Sequence, residues 1–145
     1  MKVPVLNLDV LVQISAIVHT SEDISKVIVA AKNVSGGLEP DSFEESENLV
    51  VLEYNDMNAL HYLYRKIRER QIISAARRLL LRNLVQDTTR MLVNRQVAYI
   101  GNIVLCEEED ESPLGPIIVK IESSQIMQVI DWLTTEQDID SRTRR

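Results

Sequence analysis

Residues 57–86 carry two apolar faces that lie on opposite sides of a helix. The first face is formed by Leu60, Leu63, Tyr64 and Ile67. The second is formed by Ile72, Ile73, Ala76, Leu79 and Leu80. The reversal falls near residues 69–71, where no Gly or Pro marks a break. Either two helices meet there, or one long helix is covered on opposite sides at its two ends. Because both faces must be buried, we expect this region at the centre of the molecule or of a dimer.

Alternating apolar residues predict strands elsewhere in the chain. The predicted strands are 6–18, 48–54, 89–94, 100–107 and 116–122. The predicted helices are 21–34, 57–86 and 124–133, and Trp132 should be at least partly buried in the last of them. The later strands follow one another through short links, which favours antiparallel pairing. We therefore predict an α+β fold with a single, mainly antiparallel sheet against which the helices pack.

The chain has 145 residues, a length typical of one domain that buries its own core. We predict a single domain at 1–135 and a polar, disordered tail at 136–145. The single Cys106 excludes an internal disulfide and a zinc site built from cysteines. No segment resembles a signal peptide or is long and apolar enough to span a bilayer, so we expect a cytoplasmic protein without membrane contact.

Basic residues are concentrated in one part of the chain. Nine of the 16 Lys and Arg residues fall between Arg65 and Arg95, where only Glu69 and Asp87 oppose them. That window carries about seven positive charges, although the chain as a whole has a formal net charge of -6. A segregated basic surface of this kind is suited to binding phosphate groups.

Two groups of residues in this window are candidate RNA contacts. The helical group comprises Lys66, Arg70, Arg77, Arg78 and Arg82, and the second group is Asn94, Arg95 and Gln96, in a predicted turn between two strands. The arginines can bind phosphates through their forked donors, and the amides can bind base edges or sugars. The alternative is structural: the helical residues form a solvated face whose stems cover apolar neighbours, Asn94 shapes the turn, and Gln96 binds the backbone. Because aromatics make up only 4% of the chain, we expect recognition of backbone and shape rather than base stacking.

The sequence indicates no catalytic site, cofactor site or metal site. His19 and His61 are the only histidines, and no acid–base pair or strained nucleophile turn accompanies them. Residues 107–111, five consecutive acids, could hold Mg²⁺, but a solvated hairpin turn is the more common role of such a run. We expect this turn to lie away from the basic surface, since its charges would repel the same ligand.

Several ordered motifs resemble those of a small archaeal family of uncharacterised proteins to which RNA binding is ascribed. They are Thr20-Ser21-Glu22-Asp23, Arg70-Gln71-Ile72-Ile73 with Ala76-Arg77, residues 92–98 (LVNRQVA), residues 114–121 (LGPIIVKI) and Asp131-Trp132-Leu133. The match spans roughly residues 8–133. The resemblance implies a fold like that of ribosomal protein L-five, with helices packed on one face of the sheet. It also implies a relationship to a predicted exosome-associated group, and RNA or a ribonucleoprotein as partner.

Two functions from different classes follow from these observations. The first is a non-catalytic protein that binds RNA mainly through a basic helical and hairpin surface. The second is a protein-interaction or homo-oligomeric scaffold, such as a homodimer, whose basic face docks on an acidic partner. An RNA-processing enzyme ranks third, because no catalytic residues can be named.

Overall fold

The computed structural model describes residues 2–136, so the predicted tail, apart from Glu136, lies outside the described residues. Six strands form one sheet in the order β2-β3-β1-β6-β4-β5, and every neighbouring pair is antiparallel. The strands are β1 (Leu11–Ile17), β2 (Ser42–Ser46), β3 (Leu49–Tyr54), β4 (Thr88–Val93), β5 (Leu105–Cys106) and β6 (Ile117–Glu122). The predicted α+β fold with a single antiparallel sheet is therefore confirmed.

Five α-helices accompany the sheet in the described chain. They are α1 (Ile24–Val34), α2 (His61–Glu69), α3 (Ile73–Arg82), α4 (Arg95–Tyr99) and α5 (Ile126–Thr134). Short 3₁₀ helices cover Met57–Leu60 and Glu109–Glu111. Helix α1 begins where the Asp23 side chain accepts a hydrogen bond from the Ser25 amide, which satisfies one of the free N–H groups at the helix start.

The long helical region predicted at 57–86 is broken between α2 and α3. Gln71 adopts a left-handed conformation with φ of 57°. Its N–H binds Arg68 O, and the next N–H, that of Ile72, binds Ile67 O. This pair of bonds is a Schellman motif, which ends a helix and usually has Gly at the left-handed position. The break lets the apolar faces of both helices, represented by Ile67 and Leu80, enter the same core.

The strand predicted at 100–107 is wrong over most of its length. Helix α4 lies just before this region and begins at Asn94, whose side chain accepts a hydrogen bond from the Val97 amide. Gly101, with φ of 85°, ends that helix through bonds from its own N–H to Ala98 O and from Asn102 N–H to Val97 O. The predicted turn at residues 94–96 is therefore the start of α4. Only Leu105–Cys106 remains as a strand, paired with the end of β4.

One face of the sheet and the helices share a single core. In β1 the side chains of Val12, Ile14 and Ala16 are buried in this core, whereas Gln13 and Ser15 between them are partly exposed on the other face. The helices thus cover one face of the sheet. The order of the strands places β4 and β5 at one edge, beside α3, and these elements carry Arg77, Arg78, Arg82 and Arg90.

Helix α5 docks through Trp132, a residue that is only 9% exposed. Its ring lies 4.9 Å from that of Tyr64 on α2, and its indole N–H donates to Pro4 O at 2.9 Å. The predicted burial of Trp132 is confirmed, and the same side chain holds the segment that precedes β1.

Candidate nucleic-acid interface

Helix α3 presents a row of arginines to solvent. Its apolar positions Ala76, Leu79 and Leu80 are buried. On its outer side, Arg78 and Arg82 lie one turn apart and are 54% and 43% exposed. This division arises from the amphipathic pattern of the helix, which buries one stripe and leaves the opposite one for charged residues.

The other three helical candidates lie elsewhere on the two helices. Arg70 is exposed at the end of α2, just before the left-handed turn. Lys66 pairs with Glu69 at 3.3 Å on the same helix. Arg77 bridges α3 to α5: it binds the Asp131 carboxylate at 2.8 Å and the Thr134 hydroxyl at 3.1 Å. Of the helical candidates, Lys66 and Arg70 therefore lie on α2 and at its end, and Arg77, Arg78 and Arg82 lie on α3; these two helices form the α2–α3 unit.

Residues 107–111, called the acidic segment below, lie against the arginines of α3. Glu107 Oε2 lies 3.4 Å from Arg78 Nη2, and its Oε1 lies 3.5 Å from Arg82 Nη1. The expectation that this segment lies away from the basic surface is wrong. The cause is the short β5: after only two paired residues the chain leaves the sheet beside β4, close to α3, instead of continuing to a distant hairpin turn.

The acidic segment also contacts an arginine outside the predicted set. Arg90 on β4 lies 3.4 Å from Glu109, and Arg82 lies 3.8 Å from Glu108 as well as near Glu107. Arg90 was missed because a single basic residue in an alternating strand resembles any solvated strand position. Its proximity to α3 is set by the turn between α3 and β4.

These ion pairs are loose. Their N–O distances are 3.4 to 3.8 Å, and all their side chains remain at least 41% exposed. Exposed pairs of this kind add little to stability, because water screens the charges and two flexible side chains must be ordered. Hydrogen bonds from Arg78, followed by the charges of Arg78 and Arg82, hold the pKa of Glu107 below its usual range. The arginines are thus partnered but remain accessible to a competing anion.

Arg95 is placed differently, inside the fold. Its side chain is 6% exposed, and its Nη1 donates to both carboxylate oxygens of Glu22 at 2.9 Å. Its Nε donates to Gly115 O, and its backbone N–H donates to the Ser112 hydroxyl. Arg95 therefore joins the start of α1, the start of α4 and the turn at residues 112–115.

The two neighbours of Arg95 belong to the same network rather than to the α3 row. Asn94 caps α4 rather than shaping a turn between two strands. Gln96 is exposed, and its amide donates to Pro113 O at 3.3 Å. The structure thus brings Asn94, Arg95 and Gln96 together around the 112–115 turn.

Arg68 is a second basic residue that the structure uses internally. Its guanidinium donates to the carbonyls of Tyr64, Trp132, Leu133 and Thr135. It also lies 3.4 Å from the centre of the Tyr64 ring, a cation–π contact. Burial lowers the pKa of Arg68 from its ordinary value. Arg68 stabilises the end of α5, whose last carbonyls lack partners within the helix.

Two further basic residues lie over an aromatic ring on α2. The charged ends of Arg65 and Lys66 lie 5.7 and 5.4 Å from the centre of the Tyr62 ring. The Tyr62 hydroxyl donates to Gly101 O, just after α4. Tyr62 therefore links α2 to the α4 turn and orients these cations.

Two further observations concern the described chain as a whole. Among residues 2–136, no three His, Cys, Asp or Glu side chains are grouped so that they could hold a metal ion. Over the same residues, none of the helices combines the length and the apolar character needed to cross a membrane.

The fold and the surface define an α+β protein with one antiparallel sheet and an arginine-lined helix at one edge. A model of the protein family described as RNA binding matches residues 11–123, and the chain belongs to this family. Similar proteins come from archaea: a UPF0201 protein of Sulfolobus acidocaldarius is 39% identical in an alignment of 125 positions that covers 83% of this chain and 84% of that protein. A UPF0201 protein of Pyrococcus abyssi is 34% identical over 123 residues, 84% of this chain and 87% of its own.

Solved structures of related proteins share the fold. A UPF0201 protein from Methanococcus jannaschii superposes with a TM-score of 0.71 at 25% identity, covering 88% of this chain and 94% of its own. A DUF54 protein from Methanothermobacter thermautotrophicus gives a TM-score of 0.59 at 19% identity, covering 87% and 98%. The resemblance inferred from the sequence motifs, to an archaeal family with ascribed RNA binding, is confirmed.

Proposed function

We propose that the chain binds RNA through the outer side of the α2–α3 unit. The residues proposed to contact RNA are Lys66, Arg70, Arg77, Arg78 and Arg82, called the α3 basic surface below. The observation that carries the proposal is the exposed row of arginines on α3, whose carboxylate partners are themselves exposed and weakly held. The family description supplies the class of ligand. The description names binding and no reaction, and we propose a role without catalysis.

The mode of contact follows from the side chains available. Guanidinium groups bind phosphate oxygens through two parallel donors, a geometry that lysine lacks. The aromatic ring that contacts this surface, that of Tyr62, has its centre 5.4 Å from the Lys66 ammonium, is partly buried and is tied to Gly101 O through its hydroxyl, so we expect little base stacking. Binding is therefore dominated by phosphates and by the shape of the RNA, with little dependence on sequence. We leave Asn94, Arg95 and Gln96 out of this surface because their polar groups serve the 112–115 turn and α4.

The test is the affinity for RNA of a variant that lacks the surface charge. Fluorescence anisotropy with a labelled structured RNA and a labelled single-stranded RNA should show binding by the unaltered protein at low salt. The variant R70Q/R77Q/R78Q/R82Q should lose at least about tenfold in affinity for both, because four phosphate contacts are removed.

The matched control removes the same number of charges elsewhere. K2Q/K26Q/K32Q/K120Q changes four lysines outside this surface and alters the net charge equally. At a salt concentration of about 0.1 M, where the screening length is about 10 Å, it should retain affinity within about threefold of the unaltered protein. An equal loss in both variants, or no binding by the unaltered protein, would contradict the proposal and favour a scaffold that docks an acidic protein.

A further inference from the structure

We infer that Arg78, Arg82 and Arg90 form one site for the phosphodiester backbone, and that the acidic segment occupies this site as an intramolecular competitor. This inference rests on the proposed function and adds to it a third arginine, from β4, and a control on access. In the structure, the carboxylates of Glu107 and Glu109 stand where phosphate oxygens of an RNA strand would bind.

The three arginines converge on the acidic segment from two elements. Arg78 and Arg82 reach Glu107 from α3, and Arg90 reaches Glu109 from β4. Arg82 additionally donates to the backbone carbonyl of Glu107 at 2.8 Å. Carboxylate and phosphate oxygens bind guanidinium in the same way, so a surface that holds successive carboxylates of an extended chain can also hold successive phosphates.

The acidic segment is built so that it can leave the arginines without unfolding the domain. Its internal turn is closed by Glu111, whose carboxylate accepts hydrogen bonds from the N–H groups of Glu107 and Glu108 at 3.2 and 2.9 Å. It is held on one side by β5 and on the other by the 112–115 turn, where His19 donates to Leu114 O at 2.8 Å. The carboxylate contacts to the arginines, at 3.4 to 3.8 Å, are longer than these anchors, and the one short contact, from Arg82 to Glu107 O at 2.8 Å, uses the backbone rather than a carboxylate.

Competition of this kind lowers the affinity for any polyanion. A strand of RNA must replace three carboxylates before it reaches Arg78, Arg82 and Arg90. Neutralising Glu107, Glu108 and Glu109 should therefore raise the affinity, and the gain should require the arginines. A general effect of lost negative charge would instead appear wherever acids are removed.

The experiment uses inorganic tripolyphosphate and labelled RNA as separate probes. E107Q/E108Q/E109Q should bind tripolyphosphate about tenfold more tightly than the unaltered protein at low salt, the gain expected if three weakly held carboxylates no longer compete. The control E44Q/E45Q/E47Q removes three exposed acids in and beside β2 and should change the affinity by less than about twofold. In the background R78Q/R82Q/R90Q, the same glutamine substitutions at 107–109 should produce no gain.

The outcomes separate this inference from the proposed function. An unchanged affinity for tripolyphosphate in E107Q/E108Q/E109Q overturns the inference, whatever RNA does. A gain that persists without the arginines, or that the control reproduces, overturns it as well. A gain that needs the arginines, together with no binding of RNA by any form of the protein, supports the phosphate site and overturns only RNA as its ligand.

Discussion

The Arg95 guanidinium and the Glu22 carboxylate form a buried ion pair that joins α4 to the start of α1 across 73 positions of the chain. Breaking a buried pair by removing one partner typically costs about 3–5 kcal/mol, because the remaining charge is left without compensation. We predict that R95A lowers the free energy of unfolding by about 3 kcal/mol, measured by urea denaturation. R78A, which removes an exposed arginine, should cost less than about 1 kcal/mol. Equal costs would show that Arg95 is not used structurally.

The second prediction concerns Arg68 and the end of α5. R68M keeps most of the side-chain volume but removes the donors to Trp132 O, Leu133 O and Thr135 O. Carbonyls left unpaired cost about 1–3 kcal/mol each when they stay buried, so we expect a total loss of about 2–4 kcal/mol. The measurement is the urea midpoint, with R65M on the same helix as the control. A loss no larger than that of R65M would contradict the proposed capping of α5.

The third prediction concerns the dependence of stability on pH. Burial, followed by the charge of Arg65, lowers the pKa of His61 below its ordinary value. The unfolded chain therefore takes up a proton near pH 6.5 while the folded chain does not, and stability falls as the pH drops below about 6.5. Urea midpoints at pH 7.5 and pH 5 should differ less for H61Q than for the unaltered protein. H19Q, the control for histidine replacement, should keep the contribution of His61.

The fourth prediction concerns the reactivity of Cys106. The thiol is buried in β5, and burial, followed by the charge of Glu111, raises its pKa. The thiolate is the reactive form, so alkylation by iodoacetamide at pH 8 should be at least about tenfold slower in the folded protein than in urea. Mass spectrometry of the alkylated fraction over time measures this ratio. Rapid alkylation of the folded protein would show that the two-residue strand β5 opens readily.

The sequence predicts the antiparallel sheet and a reversal of the apolar face near residues 69–71, but not the details that define the interface. The reversal indicates that the direction in which the helix faces the core changes near residue 71, because both apolar faces need burial. It leaves the break itself open, since Gln71 rather than Gly takes the left-handed conformation. Helix α4 does have local signals, the Asn94 cap and Gly101, but the alternating residues after Tyr99 favour a strand by pattern alone.

The roles of the individual arginines could not be predicted because they depend on distant partners. Arg95 and Arg78 have the same charge and lie in the same basic window. Arg95 forms a buried ion pair with Glu22, whereas Arg78 faces solvent and pairs with Glu107. These pairings can be predicted only once the strand order and the length of β5 are known. A local pattern gives the number of basic residues but not which of them remain accessible.

The salt dependence of RNA binding tests the central claim most directly. If the α3 basic surface neutralises roughly four to six phosphates, the logarithm of the association constant should fall against the logarithm of salt concentration with a slope of about -3 to -4. For R70Q/R77Q/R78Q/R82Q the slope should be smaller in magnitude by about three, while K2Q/K26Q/K32Q/K120Q should keep the slope of the unaltered protein. A slope between 0 and about -1 for the unaltered protein, or the same slope in both variants, would contradict the account.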